Sequence, residues 1–336
     1  MCFTADPATR HAGRYHGQPI PYPDTMANTE RNYRTAPRWV RERRFSIHGI
    51  DHMQTGAFDH DPVPDFDDLY WDYCAAVHSL DENVGRVLDY LDEAGLADDT
   101  MVVYMGDNGF HLGEHGFYDK RDAYETSIRV PMLVRAPGLI EPGTVVDAMV
   151  QNIDIAPTIL DAMGVTADGD AGFDGMSFLG LLRGDETPWR DHILYEYHWE
   201  WNFPATPTLF AIRTDRYKYV YHHGTWDLDA FYDLQEDPVE RHNLIDVPAY
   251  QDTIAALRTQ LFNELEASGA TDIPLNDTGR EQAREAAGRL TGTHIDRIIA
   301  SPMQRAAETA SIVAATKNLP VTHDDRLKER FFGAFD

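Results

Sequence analysis

Residues 101–120 constrain this chain more than any other stretch. Residues 101–105 are all apolar, which is typical of a strand buried on both faces of a parallel sheet. The run stops at residues 106–109, Gly-Asp-Asn-Gly. Open α/β sheets bind ligands at the carboxyl ends of their strands. We therefore expect Asp107 and Asn108 to lie at a functional site.

The residue types around this loop indicate which chemistry it could carry. Asp107 and Asn108 offer hard oxygen atoms that suit Ca²⁺ or Mg²⁺. His111, His115 and Lys120 follow within a dozen residues, and side chains of this kind beside a cation favour an anionic ester as substrate. The alternative interpretation is a simple turn, because Asp, Asn and Gly populate turns for reasons of backbone geometry alone.

Three longer segments carry a resemblance to one family. Residues 102–138, VVYMGDNGFHLGEHGFYDKRDAYETSIRVPMLVRAPG, resemble the metal-binding segment of the sulfatases. Residues 151–163, QNIDIAPTILDAM, resemble the helix that follows it, and residues 189–244 resemble the C-terminal subdomain of the branch that contains N-acetylglucosamine-6-sulfatase. Agreement among several spaced motifs makes a chance match less of a concern than it is for one motif. The resemblance covers roughly residues 4–274.

The resemblance implies a fold and a division into domains. The implied fold is the α/β, alkaline-phosphatase-like sulfatase fold, with a partial central sheet flanked by helices and a small C-terminal antiparallel sheet plus helix. An incomplete α/β tail follows it. We expect a partial catalytic domain over residues 1–188, a C-terminal subdomain over 189–274 and a separate fragment over 275–336.

The resemblance also implies roles for individual residues. Asp107 and Asn108 would bind a divalent cation, usually Ca²⁺, with Mg²⁺ as the alternative. Lys120 would contact the sulfate, and His111 and His115 lie where related enzymes have substrate-contacting groups. The implied activity is hydrolysis of sulfate esters on sugars or glycosaminoglycan-type glycans.

The cysteines do not fit the family's nucleophile. Sulfatases attack with a formylglycine made from the cysteine of a Cys-x-Pro-x-Arg pattern, but neither Cys2 nor Cys74 lies in such a pattern. The family's paired metal-binding aspartates are not recognisable before Asp107 either. We therefore expect a truncated or fused chain, corresponding to the C-terminal half of a sulfatase and impaired in activity. The N-terminus shows no signal peptide, although members of the family are often periplasmic, secreted or lysosomal.

Charge and hydropathy exclude other classes. The chain has 29 basic and 56 acidic residues, a formal net charge of −27, which argues against general binding of nucleic acid through its phosphates. No apolar run is long enough to span a bilayer, so we expect no membrane partner. The two cysteines predict no disulfide framework. The sequence does not indicate an oligomeric state.

Outside the loop, residues 1–64 predict a long, irregular surface segment, because they are rich in Pro, Arg, His and Gly without a sustained period. It resembles a substrate-side insertion of the sulfatase branch. Its histidines are thus candidates for glycan contact, with ordinary solvated histidines as the alternative. They are His11, His16, His48, His52 and His60.

Periodicity predicts most of the remaining elements. A helix is expected over residues 66–95, strands over 130–134 and 145–150, a helix over 154–163 capped by Asp154, and a short helix over 177–182. Strands over residues 193–197, 209–213, 217–221 and 231–234 predict a small antiparallel sheet, followed by a helix over 248–268. Aromatic and histidine side chains around this sheet could stack on sugar rings or fill its core. They are Trp199, Trp201, Trp226, His198, His222 and His223.

The tail resembles a second family. Residues 275–290, 298–314 and 327–336 resemble segments of the histidine phosphatases, which include the phosphoglycerate mutases. We expect a helix over 278–290, a strand over 295–300 and a helix over 302–317. The resemblance implies that Arg305 contacts phosphate and Glu329 donates a proton. The segment with the nucleophilic histidine is not recognisable, which argues against a working phosphatase.

Three functions thus remain in competition. The first is a calcium-dependent hydrolase of sulfated sugars, and the second is a non-catalytic protein that binds calcium or glycans. The third is a phosphatase or mutase acting through the tail.

Overall fold

A computed structural model of the chain describes residues 6–51, 65–165, 173–201, 203–223, 227–267, 277–300 and 304–324. The chain forms two compact units, residues 1–251 and 252–336. The domain boundaries expected from the resemblance stay predictions. None of the helices in the described part of the chain has the length and apolar character needed to cross a membrane.

The elements of the first unit follow in a simple order. Its helices are α1 (Glu30–Tyr33), α2 (Arg38–Arg43), α3 (Phe66–Glu93), α4 (Glu125–Ile128), α5 (Ile155–Ala162) and α6 (Leu179–Arg183). The strands are β1 (Val102–Met105), β2 (His111–Leu112), β3 (Tyr118–Asp119), β4 (Met132–Arg135), β5 (His192–Tyr197), β6 (Leu209–Thr214), β7 (Tyr217–His222) and β8 (Ala230–Asp233).

Helix α3 and the four-stranded sheet confirm the periodicity argument. Helix α3 spans 28 residues and ends before Gly95, whose φ of 66° is the left-handed conformation that glycine adopts after a helix. Strands β5 to β8 pair in sequence order, and every pair is antiparallel. The predicted short helix is observed as α6.

Strand β1 is present, but the prediction of a parallel, doubly buried strand was wrong. Strand β1 pairs antiparallel with β4, with Val103 opposite Val134, and all its residues are half-buried. Strand β4 alternates between half-buried and exposed residues, and Leu133 is 67% exposed. The connection from β1 to β4 contains the short β2–β3 hairpin and α4. It does not contain the long crossover helix that parallel pairing requires, and β4 therefore runs in the opposite direction to β1.

Two further predictions about the stretch after β4 were wrong. Residues 145–150 form no strand, and the carbonyl of Met149 accepts hydrogen bonds from the Trp189 indole at 2.8 Å and from Arg190 at 3.4 Å. Asp154 does not cap α5 with its side chain. Its carboxylate instead accepts the backbone N–H groups of Gln151 and Met176 and pairs with Arg190, so it joins three segments.

The N-terminal segment, defined here as residues 6–51, is the irregular surface segment that its composition predicts only over its first half, because burial is concentrated in residues 32–51. Tyr33, Trp39 and Val40 belong to the main buried cluster, together with Phe117 and Tyr124. The cluster continues into the four-stranded sheet. Gly49 forms an isolated antiparallel bridge with Phe117. The second half of the N-terminal segment therefore packs against both the β2–β3 hairpin and the sheet.

The second unit is smaller. Helix α7 (Gln251–Ala267) begins at the division between the units, and its buried leucines recur at positions 257, 261 and 265. The predicted elements of the tail are observed as α8 (Asp277–Arg289), β9 (Ile298–Ala300) and α9 (Gln304–Lys317). Strand β10 (Val321–His323) pairs parallel with β9, so the tail contains one β-α-β unit.

Candidate functional site

The loop after β1 is held closely against α4. The backbone N–H of Gly109 donates to the carbonyl of Ser127 at 2.8 Å. A Cβ at position 109 would come within 2.1 Å of the Thr126 carbonyl oxygen. Only glycine fits this approach, because no Cβ can sit so close to a backbone atom. Gly109 thus sets the position of Asp107 and Asn108 relative to α4.

The structure brings Asp107, Asn108 and Lys120 together. The Lys120 ammonium donates to Oδ1 of Asn108. The amide group of Asn108 donates to the carbonyl of Gly109 at 2.8 Å. Asp107 is exposed, and its Oδ1 accepts the N–H of Asn108 at 2.9 Å. The Asn108 amide oxygen and the Lys120 ammonium therefore meet at the end of β1, next to the exposed carboxylate of Asp107.

The donor types at this loop fit a hard cation in part. A carboxylate and an amide oxygen are ligands that Ca²⁺ prefers, and a carbonyl-type oxygen that accepts one hydrogen bond retains a second lone pair. Together they would supply two of the roughly six to eight oxygens that Ca²⁺ takes. Within the described ranges, no cluster of three or more His, Cys, Asp or Glu side chains could hold a metal ion.

His111 lies inside the protein. Its side chain is 0% exposed, and Nε2 is 3.0 Å from both carboxylate oxygens of Asp122. Its Nδ1 is 2.9 Å from the hydroxyl of Thr126. Both ring nitrogens are thus engaged by neighbouring side chains, and contact with substrate stays a prediction for this residue.

His115 is buried against an aromatic ring. The ring stacks on Tyr124 with centroids 3.8 Å apart, and the backbone adopts a φ of 55°, in the left-handed region. Burial, with a smaller contribution from the nearby His111, lowers the pKa of His115 to about 3. His115 is therefore neutral at ordinary pH, and its role in substrate contact also stays a prediction.

The residue that sequence reasoning missed is Arg43, from helix α2. Its side chain is 0% exposed, and Nη1 donates to Asp122 at 2.6 Å. Nη2 donates to the backbone carbonyl of Lys120. The guanidinium also lies over the Phe117 ring, 4.4 Å from its centroid. Arg43 thus holds the backbone of Lys120 and the carboxylate that binds His111.

A second buried group involves His48. Its Nδ1 is 2.9 Å from Asp119, and Arg121 donates to both oxygens of Asp119 at 2.7 and 2.8 Å. Burial raises the pKa of Asp119, but the hydrogen bond from His48 and the arginine charges outweigh it and lower the pKa. The ring of His48 is enclosed, and its contact with a glycan stays a prediction, as for His111.

Other predicted residues have partners of their own or belong to the second unit. His11 is buried and pairs with Glu82 at 2.7 Å, and His16 lies 3.3 Å from Asp72. Arg305 lies in α9, in the second unit. His52, His60 and Glu329 fall outside the described part of the chain.

A local signal for Arg43 and its partners does exist in the sequence. Residues 119–122 read Asp-Lys-Arg-Asp, and residues 41–44 read Arg-Glu-Arg-Arg. Two acids so close to the apolar residues 117 and 118 could have indicated a buried ion-pair cluster. Sequence alone did not show that the matching arginine lies nearly eighty positions earlier.

The members of the aromatic group around the sheet differ in burial, and their stacking on sugar rings stays a prediction. His222 is buried, and its Nδ1 is 2.8 Å from the carbonyl of Leu228. Trp199 and Trp201 are 48% and 82% exposed, so they do not fill the core. Trp226 lies outside the described residues.

Comparison with known families gives consistent results. The sulfatase model matches residues 11–165, and the model for the C-terminal part of N-sulphoglucosamine sulphohydrolase matches residues 113–267. The model for the histidine phosphatase superfamily, branch 1, matches residues 258–336.

Similar curated proteins include three sulfatases. N-acetylglucosamine-6-O-sulfatase of Bacteroides thetaiotaomicron is 38% identical, with 53% of this chain and 32% of the relative aligned. The human N-acetylglucosamine-6-sulfatase is 34% identical over 50% of this chain and 31% of its own length. The choline-sulfatase of Rhizobium meliloti is 34% identical over 55% and 35%. The chain thus spans about a third of the length of these relatives.

A solved structure supports the same assignment. It is described as a complex with its substrate D-glucosamine-2-N,6-O-disulfate. It superposes with a TM-score of 0.68 at 26% identity, covering 77% of this chain and 62% of the other. The two sulfatase models together span residues 11–267, and this part of the chain has the sequence and the fold of the sulfatase family.

Proposed function

We propose that this chain acts in the hydrolysis of sulfate esters on sugars, with calcium as the cation. Asp107 and Asn108 would hold the cation, and Lys120 would contact the sulfate. One observation carries the proposal: the Lys120 ammonium lies at hydrogen-bonding distance from Asn108, the residue next to Asp107.

The arrangement suits an anionic group. An ammonium and a hard cation side by side attract the oxygens of a sulfate. A bound cation would neutralise the charge on those oxygens. The chain's own residues fix the geometry, since Arg43 holds the Lys120 backbone and Gly109 places the loop.

The substrate proposed is a sulfated amino sugar or a glycosaminoglycan-type glycan. The names of two similar proteins specify N-acetylglucosamine-6-sulfate, and the superposed structure contains a doubly sulfated glucosamine. These ligands combine a sugar ring with an anionic ester, and the anionic ester is the part that the Lys120 ammonium would attract.

Calcium titration and sulfate release together test the proposal. We expect calcium to bind the unmodified chain and Asp107→Asn to weaken this binding at least tenfold, because a ligand charge is lost. Asp98→Asn is the matched control, because Asp98 is an exposed acid just before β1, whereas Asp107 follows β1. Sulfate release from N-acetylglucosamine-6-sulfate is measured on the same samples. Equal calcium affinity in both variants would rule out Asp107 as a ligand.

A non-catalytic calcium- and glycan-binding role is the second candidate. It is favoured by the cysteines, because none of the 336 residues forms a Cys-x-Pro-x-Arg pattern. Cys74 is half-buried in α3, and burial raises the pKa of its thiol. Binding of calcium and sulfated sugar without sulfate release would select this role, whereas turnover abolished by Asp107→Asn would select the hydrolase.

A further inference from the structure

Helix α4 supports the candidate site at two points. The carbonyl of Ser127 accepts the N–H of Gly109, in the loop after β1, at 2.8 Å. The Thr126 hydroxyl lies 2.9 Å from Nδ1 of His111. A helix of four residues is too short to be stable by itself. The position of α4, and with it the position of the loop, therefore depends on contacts from elsewhere in the chain.

The first backbone N–H group of α4 is bound by Glu240, which follows β8 in the chain. The N–H of Glu125 donates to Oε2 of Glu240 at 2.6 Å, across 115 positions of sequence. Glu240 is only 3% exposed. Tyr124, the residue directly before the helix, supplies no side-chain cap. The carboxylate of Glu240 therefore satisfies the N–H group that a capping side chain usually binds.

Glu240 is itself held by a buried lysine of the sheet. Lys218, in β7, is 0% exposed, and its ammonium donates to Oε1 of Glu240 at 2.7 Å. The same ammonium donates to the carbonyl of Ala123 at 2.6 Å and lies 2.8 Å from the Glu125 carboxylate. Strand β7 lies between β6 and β8 in the sheet. Lys218 and Glu240 therefore attach the start of α4 to an inner strand.

The backbone of Glu240 adopts an unusual conformation. Its φ of 52° lies in the left-handed region, which residues with a Cβ rarely adopt. Such strain persists only where the surroundings hold the residue, and it is most common at functional sites. Both carboxylate oxygens of Glu240 are engaged, one by Lys218 and the other by the Glu125 N–H. These contacts stabilise the strained conformation.

We propose that Glu240 is a positioning residue for the cation-binding loop and acts through α4. Lys218 and Glu240 fix the start of α4, and Ser127 in α4 fixes Gly109 in the loop. This inference rests on the proposed function. It adds a residue, distant from the loop in sequence, on which cation binding depends.

The substitution Glu240→Gln tests this role with little change in size. A carboxylate accepts hydrogen bonds on both oxygens, whereas an amide has one oxygen and one NH₂ group that only donates. In the variant a donor must face either the Glu125 N–H or the Lys218 ammonium, so one of the two contacts is lost. Lys218 keeps the Glu125 carboxylate at 2.8 Å, so its charge stays paired and we expect the variant to fold.

The matched control is Asp233→Asn. Asp233 lies in β8, and its side chain is also 0% exposed. It accepts from Arg216 at 2.8 Å and from the backbone N–H groups of Gln235 and Glu236 at 3.3 and 3.4 Å. These partners lie outside α4. The control therefore changes a buried, paired carboxylate without loosening α4.

Amide hydrogen exchange on the full chain, without calcium, measures how firmly the loop is held. We expect the Gly109 N–H to exchange about tenfold faster in Glu240→Gln than in Asp233→Asn. This factor corresponds to about 1.4 kcal/mol, the order of one net hydrogen bond. A general loss of stability would instead accelerate the amides of β6 and β7 by the same factor. Equal acceleration of Gly109 and these strands, or an unchanged Gly109, would overturn the inference.

Calorimetry with calcium on the same variants completes the test. We expect Glu240→Gln to weaken calcium binding about tenfold, the lower end of the effect of residues that orient metal ligands, and Asp233→Asn to leave it unchanged. Equal calcium affinity in the two variants would overturn the inference. Failure of calcium to bind the unmodified chain would refute the proposed function, and the exchange of Gly109 would then decide alone whether Glu240 positions the loop.

Discussion

Replacement of Arg43 by methionine tests the buried ion-pair cluster most directly. The change keeps the apolar stem but removes the charge from a site that is 0% exposed. Asp122 then loses its 2.6 Å partner, and the carbonyl of Lys120 loses a donor. Removing one partner of a buried pair costs about 3–5 kcal/mol, because it leaves the other charge uncompensated.

The matched control lies on the same helix. Arg38 is 83% exposed and pairs with Glu42 one turn away. Such exposed pairs contribute only about 0.3–0.5 kcal/mol. We therefore expect Arg38→Met to change the free energy of unfolding by less than 1 kcal/mol, whereas Arg43→Met should remove a large part of the roughly 5–15 kcal/mol typical of a folded protein.

Urea denaturation followed by circular dichroism measures both variants. Acidification provides a second check, because attraction by His111 and Arg43 outweighs burial and holds the pKa of Asp122 well below its usual range. The stabilisation from this pair is full above the unfolded pKa of about 4 and is lost as the pH falls. The difference in free energy of unfolding between Arg43→Met and the unmodified chain should therefore become smaller below pH 4. Equal stability of the two arginine variants at pH 7 would refute the reasoning.

Three further substitutions have defined outcomes. His115 has a folded pKa of about 3 and an unfolded pKa near 6.5, so the unmodified chain should lose about 2 kcal/mol of stability between pH 7 and pH 5. The His115→Asn variant should lose less stability over the same range. Equal acid sensitivity of the two proteins in urea titrations would contradict this. Gly109→Ala should weaken calcium binding, because the loop must move to keep the new Cβ from lying 2.1 Å from the Thr126 carbonyl oxygen. An unchanged calcium affinity by calorimetry would count against the role of Gly109. Asp227→Ala should lower the free energy of unfolding by about 0.5–2 kcal/mol, because the Asp227 carboxylate accepts hydrogen bonds from the first two backbone N–H groups of α2. An unchanged midpoint of thermal unfolding would argue against this cap.

Hydrophobic periodicity correctly predicted the helices and strands that bury mainly apolar side chains. Helix α3 and strands β5 to β8 were placed within a few residues, because their side chains alternate or recur at the period of the element. The convergence of Asp107, Asn108 and Lys120 was also expected, although their roles as ligands stay predictions. In these cases a short stretch of sequence was enough to predict the local structure.

The N-terminal segment shows why the rest was not predictable. Much of what it buries is polar, including Arg43 and His48, and polar residues give no period that could be read in isolation. The burial of His111 follows from Asp122 and Thr126, which approach only in the folded chain. The failed strand at residues 145–150 has a similar cause, since its Met149 carbonyl is used by Trp189.

The contacts of the N-terminal segment also predict a late stage for the formation of the site during folding. Tyr33 donates to the carbonyl of His115 across 82 residues, and Trp39 donates its N–H to Asp227 across 188 residues. Closing such loops costs entropy before any contact compensates for it, so contacts of large sequence separation form slowly. The loop after β1 should therefore acquire its final geometry only in the last, cooperative stage of folding. An isolated peptide of residues 101–120 would contain Asp107, Asn108 and Lys120 without the framework that brings them together.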